Sequence, residues 1–468
     1  MRRGFTARWG RALTATAGVL AVVGALGVPA AAAQAAVAPV PLNSWPQYAH
    51  DAQHSGTNPN EHAFNTRTIA NLKVVSKAHV GTNSLDRGGP VVANGRLYIG
   101  DVDGALSVFS TNGCGAESCE PLWQAQIDGS IDSTPALAGD LVLFAGTNTS
   151  LLYAFAANGC SSTLCKPVWI GKLKSGATGS VTVADGIAYV GDFTGHLYAF
   201  RAAGCGSASC SPLWVGVGQS NEELGTPAVA NGTVYITSFE VTDSLFTGRL
   251  LAFRAAGCGL TTCTPTWTAD IGGPGTGITV AGSTVFTGSS TLFGDGTNTD
   301  FHLMAFPAGG CSGTVCKPLR TYFTGDIGTE GAPAIAGALV LASSNGSPDP
   351  RFIGGVSAYP IAGCGKPQCP AAWTGVSFAQ APSSPPVVVD DVVLVGKGPA
   401  SGFPVDAGFF TYNARGCGAT ICEPISLVQL GETQFYNGAP LAVAEHKIFM
   451  ASTDNSDGHS NVYTAALP

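Results

Sequence analysis

The sequence predicts an all-β fold, an eight-bladed β-propeller of four-stranded antiparallel blades, and two observations carry that prediction. All 14 cysteines fall into one pattern, C-x4-C, repeated seven times with first members 46, 45, 53, 53, 53 and 53 residues apart. That is the period of one supersecondary unit in a propeller or solenoid. Each repeat also carries the same succession of short apolar runs separated by glycine and asparagine turns, a pattern of strands and tight turns. With 63 Gly and 29 Pro the chain is turn-rich, yet 45% of it is hydrophobic, so it can bury a core.

Taken in chain order, the first element is an export signal over residues 1–35. Arg2, Arg3, Arg8 and Arg11 precede an apolar stretch from Ala12 to Val28, followed by alanine-rich cleavage sites near Ala33 or Ala35. Arg2-Arg3-Gly4-Phe5 resembles a twin-arginine signal, but Thr6 stands where that pattern prefers an apolar residue, so ordinary secretion is the favoured route. No later segment offers about eighteen uninterrupted apolar residues, and no cysteine lies beside the cleavage site to carry a lipid. The expectation is a protein secreted to the extracellular side, with no transmembrane segment in the mature chain. Residues 36–71 form a lead-in segment, and 72–468 a single propeller domain.

Within a repeat the strands are legible. Thr134-Pro135-Ala136-Leu137-Ala138-Gly139 gives the first, Leu141 to Gly146 the second, Leu151-Leu152-Tyr153-Ala154-Phe155 the third, and the run at Trp169 the fourth. The runs are too short and too broken by glycine for helices. Seven such units begin near Pro90, Pro135, Val181, Pro227, Ile278, Pro333 and Pro386, and an eighth, without cysteines, spans Pro440 to Pro468 with three strands. Its missing strand is available as the orphan run Leu72 to Val80, and pairing the two closes the ring and removes exposed edges. A ring of seven blades is the alternative if the last unit does not form.

The cysteines sit in the turn between third and fourth strands, so each should bond the one five residues on: Cys114 with Cys119, Cys160 with Cys165, Cys205 with Cys210, Cys258 with Cys263, Cys311 with Cys316, Cys364 with Cys369 and Cys417 with Cys422. An oxidising compartment suits this usage. On the chain-entropy model each such bridge contributes about 2 kcal/mol. A zinc site is the rival, but four thiolates require two pairs to converge, and successive turns should lie apart around a rim. Charged residues make up only 11% of the chain, with a net charge of -8. That balance excludes nucleic acid and anionic membrane surfaces as partners, since both reward clustered Lys and Arg.

The string Trp45-Pro46-Gln47-Tyr48, then His50-Asp51, then Ser55-Gly56-Thr57-Asn58-Pro59, resembles the opening of the pyrroloquinoline quinone (PQQ)-like propellers, the quinoprotein alcohol dehydrogenase-like superfamily. The run Gly191-Asp192-Phe193-Thr194-Gly195-His196-Leu197-Tyr198-Ala199-Phe200, followed by Gly204 and Trp214, is similar to that family's repeat, in which a glycine and a tryptophan lock neighbouring blades. Arg320 and Ser426 depart from the tryptophan position. The resemblance implies a cofactor over the channel, PQQ with calcium, and a carboxylate base. It also implies an adjacent cysteine pair under the cofactor in the alcohol dehydrogenases, and this chain has no Cys-Cys dipeptide.

A ligand site is expected at the channel mouth, on the face opposite the cysteine turns. The residues three before each unit's proline position are Arg87, Asp132, Thr178, Leu224, Gly275, Glu330, Ser383 and Asn437, with Asp86 and Glu223 one place earlier. Asp86, Arg87, Asp132, Glu223, Glu330 and Asn437 are the binding candidates, able to orient a polar ligand or hold a hard cation. The turns Thr291 to Phe301, Asn345 to Gly354, Pro399 to Gly408 and Asp454 to Asn461 lengthen on the same face and account for the longer repeat step. Asp295, Asn298 and Asp300, or Asp454 and Asp457, lack the spacing of a calcium loop and read as turn chemistry. His50, His54 and His62 read as surface or packing residues, and no hydrolase elbow, phosphate loop, zinc-protease pair or haem motif occurs. Two functions follow. The favoured one is noncatalytic: a propeller holding a small polar ligand, a glycan or an extracellular protein, with no metal or cofactor assigned. The alternative is a PQQ- and calcium-dependent dehydrogenase of alcohols or sugars, with Asp132, Glu223 or Glu330 as acid-base candidates and Arg87 as cofactor partner.

Overall fold

The apolar runs become strands because each buries its side chains against a neighbouring blade. In the second repeat Ala136–Ala138, Leu141–Ala145, Leu151–Ala156 and Trp169–Lys172 pair antiparallel in that order, with Ala136 opposite Leu143, Leu141 opposite Ala156 and Trp169 opposite Ala154. Tyr98, Val108 and Trp123 of blade 1 share one cluster with Leu137, Val142 and Phe155 of blade 2. Each large side chain so buried contributes about 1.5–3 kcal/mol. This computed structural model describes residues 39–81, 88–116, 118–162, 164–177, 179–218, 222–242, 245–292, 299–325, 331–344, 354–377, 384–397, 405–434, 440–454 and 459–468. Among them there is no α-helix, and eight sheets form the ring of an eight-bladed propeller. No helix among the described residues is long and apolar enough to cross a membrane.

Closure comes from the orphan strand. Lys73–Gly81 pairs antiparallel with His459–Ala466, from Lys73 opposite Ala466 to Gly81 opposite Ser460. The first and last parts of the propeller therefore share blade 8.

To the four antiparallel strands of a blade the structure adds a short fifth, and it comes from the next repeat. The cysteine turn of blade 3 lays Ser209–Cys210 parallel to the outer strand of blade 2, with Ser209 opposite Ile170 and Cys210 opposite Gly171. The same parallel pair recurs from each cysteine turn onto the preceding blade, including Ser118–Cys119 on Lys77 and Ala78 of blade 8. All seven disulfides join the cysteine to the one five residues on. The bridge thus shapes a hairpin that latches one blade onto another, and the second cysteine of each pair is buried there.

Before five of the seven hairpins a glycine takes the outer-strand tryptophan of the preceding blade. Gly204 has φ of +82°, and a β-carbon there would lie 2.6 Å from Trp169 Cδ1, so only glycine fits both the backbone and the contact. Gly159 meets Trp123, Gly257 meets Trp214, Gly310 meets Trp267 and Gly416 meets Trp373 in the same way. Arg320, which departs from the repeat, does the tryptophan's work: it lies against Gly363 and donates from Nη1 to the Ile361 carbonyl at 2.6 Å. Ser426 stands in blade 7, and blade 8 carries no cysteine hairpin, hence no glycine for a tryptophan to cover.

Candidate functional site

The channel is where inner strands present unpaired edges, and the lead-in segment fills it. Between Trp45 and Asn58 the chain reaches the innermost strand of all eight blades, each at the residue before the last of that strand. Trp45 exchanges both backbone bonds with Val92, at 2.7 and 2.8 Å. Pro46, Ala52, Gln53, Ser55 and Gly56 carbonyls accept the N–H groups of Leu137, Val229, Val280, Ile335 and Val388 at 2.6 to 2.9 Å. Gln47 covers Val183, its Oε1 accepting from the N–H at 2.8 Å and its Nε2 donating to the carbonyl at 3.3 Å. Asn58 Nδ2 donates to the Val443 carbonyl at 2.8 Å. Backbone groups that water would otherwise have to satisfy inside a narrow channel are paired by one segment.

His54 is the buried polar centre of this plug. Its Nδ1 lies 3.1 Å from the Ile278 carbonyl and its Nε2 3.1 Å from Thr182 Oγ1. A carbonyl can only accept, so Nδ1 carries the proton. Burial pushes the imidazole pKa down to about 4, against the opposing pull of the Asp51 charge and the hydrogen bond to Ile278. His50 is largely buried beside Asp51, whereas His62 is exposed.

A collar of hydroxyls joins blades 1 to 4. Gly89 N–H donates to Thr134 Oγ1 at 2.9 Å, Thr134 N–H to Ser180 Oγ at 3.0 Å, and Ser180 N–H to Thr226 Oγ1 at 2.9 Å. Each hydroxyl directly precedes its repeat's proline position, a regularity visible in the sequence but carrying no sign of its role there. Tyr48 rises from the plug on the mouth side, its hydroxyl accepting from Ala332 N–H at 2.9 Å.

Of the mouth candidates, Asp132 and Glu223 are described, both half-buried and on the nonadjacent blades 2 and 4. Glu223 pairs through its backbone with Phe239, and Leu224 is fully buried with its N–H on the Asp192 carbonyl at 3.2 Å, so Leu224 packs rather than binds. Gly275 lies in an inner strand opposite Ser289. Asp86, Arg87, Thr178, Glu330, Ser383 and Asn437 lie outside the described residues, as do most residues of the four lengthened turns, with Asp295, Asn298 and Asp457.

Sequence reasoning missed the ion pair beside Glu223. Glu222 is buried and takes a forked bond from Arg249, with Nε at 2.8 Å and Nη2 on the same oxygen. Two further carboxylates prove structural. Asp192 accepts from Thr194 N–H, His196 N–H and the Tyr198 hydroxyl at 2.8 to 2.9 Å, which closes its turn. Asp101 holds the matching turn in blade 1 through Ala105 N–H at 2.9 Å, and burial raises its carboxyl to about 6.

The implied cofactor and cation do not fit the described donors. Every cysteine is committed to a hairpin, so no adjacent thiol pair lies under a cofactor. No group of three His, Cys, Asp or Glu among the described residues converges on one point. The inner-strand level of the channel is taken by residues 45–58.

The family model described as outer membrane protein assembly factor BamB matches residues 67–305, just over half of the chain. The chain belongs to that family. Its members and structural neighbours are PQQ-like propellers. BamB from Moraxella catarrhalis is similar at a TM-score of 0.53 and 16% identity, over 84% of this chain and 97% of that one. The quinohemoprotein alcohol dehydrogenase ADHIIG from Pseudomonas putida HK5 gives 0.60 and 10%, over 91% and 80%. A europium-containing methanol dehydrogenase gives 0.58 and 11%, over 91% and 98%. At these identities the likeness is one of fold. No curated protein matches the chain in sequence.

Proposed function

We propose that this PQQ-like propeller is an exported, noncatalytic binding module whose mouth and lengthened turns hold a small polar molecule, a glycan or an extracellular protein. The plug is the observation that supports it: residues 45–58 bond to all eight inner strands and turn the ring into a rigid closed platform. A rigid scaffold that presents variable loops is suited to recognition. The absence of a Cys-Cys dipeptide argues the same way against the dehydrogenase reading. The reading includes export, through the signal that the sequence predicts over residues 1–35.

Titration of the oxidised protein with PQQ, with and without calcium, followed by dye reduction with alcohols and sugars, tests the proposal. No binding and no turnover is the expected result, and calcium-dependent binding with turnover would overturn it. A glycan array with the wild type and a triple variant, Arg87→Ala, Asp132→Asn and Glu330→Gln, then tests the mouth. Retention of glycan binding by the triple variant would remove these residues from the reading.

A further inference from the structure

Eight blades meet at eight junctions, but only seven carry a cysteine hairpin. The unlatched junction lies between blades 7 and 8. Its outer strand, Ser426–Gln434, pairs with Val405–Asn413 and, among the described residues, with no strand on its other side.

Register shows what is missing. In blades 2 to 6 the outer-strand residue after the tryptophan position points its N–H outward and donates to a hairpin carbonyl. Ile170, Val215, Thr268, Thr321 and Thr374 bond the carbonyls of Ala208, Thr261, Thr314, Pro367 and Thr420 at 2.8 to 2.9 Å. Leu427 occupies that position in blade 7, opposite Phe410 as Ile170 is opposite Tyr153. No described residue accepts from its N–H. Its side chain is 41% exposed, whereas the latched equivalents are half-buried or buried. The 3-10 turn Ile69–Asn71 precedes the outer strand of blade 8, as a hairpin precedes the outer strand elsewhere, and Ile69 shares a cluster with Val428. It covers side chains but adds no strand. Beside it lies an open cavity of about 480 Å³, lined by Thr68, Asn71, Leu72, Lys73, Leu467 and Pro468.

We propose that the outer edge of blade 7 at Leu427 and Val428 is a docking edge for an extended segment of another polypeptide. The occupant runs parallel to the strand and offers a carbonyl to Leu427 N–H, beside the apolar cover that Ile69 already gives Val428. The seven internal latches define that chemistry, because the same surface receives the same two-residue parallel strand at every other junction. A second copy of this chain meeting edge to edge through its own Ser426–Gln434 would pair antiparallel about a two-fold axis, unlike any of the seven. Strand addition to a free edge is a general mode of peptide capture. The inference is independent of what the channel mouth binds.

The probe is an oxidised synthetic hairpin with the sequence of Asn413 to Pro424, added to the whole protein while backbone amide exchange is followed. Expected is saturable slowing of exchange at Leu427 by about tenfold or more, lost when both cysteines of the peptide are replaced by serine. Leu427→Pro removes an outward N–H at a strand edge and leaves no amide to exchange at that position, so it is read by calorimetric titration with the hairpin, in which the saturable binding of the wild type should be lost. If that variant fails to fold, a second measurement decides. Ala466 stands in the register position of Asn413, so appending the sequence Gly416 to Pro424 after Pro468 supplies the latch in the same chain, and it should protect Leu427 and raise Tm. No protection in either form would overturn the proposal. Protection of Leu427 that instead follows protein concentration, with dimer formation, would overturn it in favour of self-association.

Discussion

His54 Nε2 lies 3.1 Å from Thr182 Oγ1, so an imidazole from the lead-in segment is seated between blade 3 and, through Ile278, blade 5. The ring is wholly buried, and that burial lowers its pKa.

A pH dependence follows from that burial. The folded pKa of about 4 lies below the ordinary value of 6.5, so the unfolded chain binds the proton first. Stability from neutral His54 is fully present above pH 6.5 and is lost as pH falls towards 4, by about 3 kcal/mol in all. Thermal unfolding between pH 7 and 4 should show this slope in the wild type and a shallower one in His54→Gln.

Gly204→Ala tests the lock between blades 2 and 3. The new methyl group would meet Trp169 Cδ1 at 2.6 Å in a backbone region with φ of +82°. A loss of about 2–4 kcal/mol in denaturant unfolding is expected. A change under about 0.5 kcal/mol, the range of an ordinary surface substitution, would mean that the glycine–indole contact does not hold the junction.

Arg320→Trp should be tolerated. It restores the residue found at Trp123, Trp169, Trp214, Trp267 and Trp373, and Trp214 Nε1 already donates to the Ala255 carbonyl at 3.2 Å as Arg320 does to Ile361. The expected change lies between zero and about 1 kcal/mol of stabilisation, read from Tm. Clear destabilisation would show that Gly363 is shaped for the guanidinium.

Replacing Cys364 and Cys369 together by alanine removes one latch. A loss of about 2 kcal/mol is expected on the entropy model, with faster amide exchange concentrated at Thr321, whose N–H bonds the Pro367 carbonyl at 2.9 Å. Uniform loosening of the ring would argue instead that the bridge acts on the unfolded chain alone.

Most of the architecture was legible in one dimension because the repeat is local. Four apolar runs, their turns and the five-residue cysteine spacing each depend on neighbours in sequence, so blade count, closure by Lys73–Gly81 and disulfide pairing could be read directly. The candidate site was less legible. Glu223 stood out by register, yet its neighbour Glu222 holds the buried ion pair with Arg249, because side-chain direction in the extra strand Glu223–Leu224 depends on pairing with Phe239.

What the sequence determined by itself is the blade and its multiplicity, since a strand of period two and a turn glycine are local physical necessities. Only the tertiary structure decided that the hairpins latch neighbouring blades, that residues 45–58 plug the channel, and that the outer strand of blade 7 takes no fifth strand among the described residues. Those facts rest on hydrogen bonds between residues far apart in sequence, such as Asn58 and Val443. Such bonds exist only once the ring has closed.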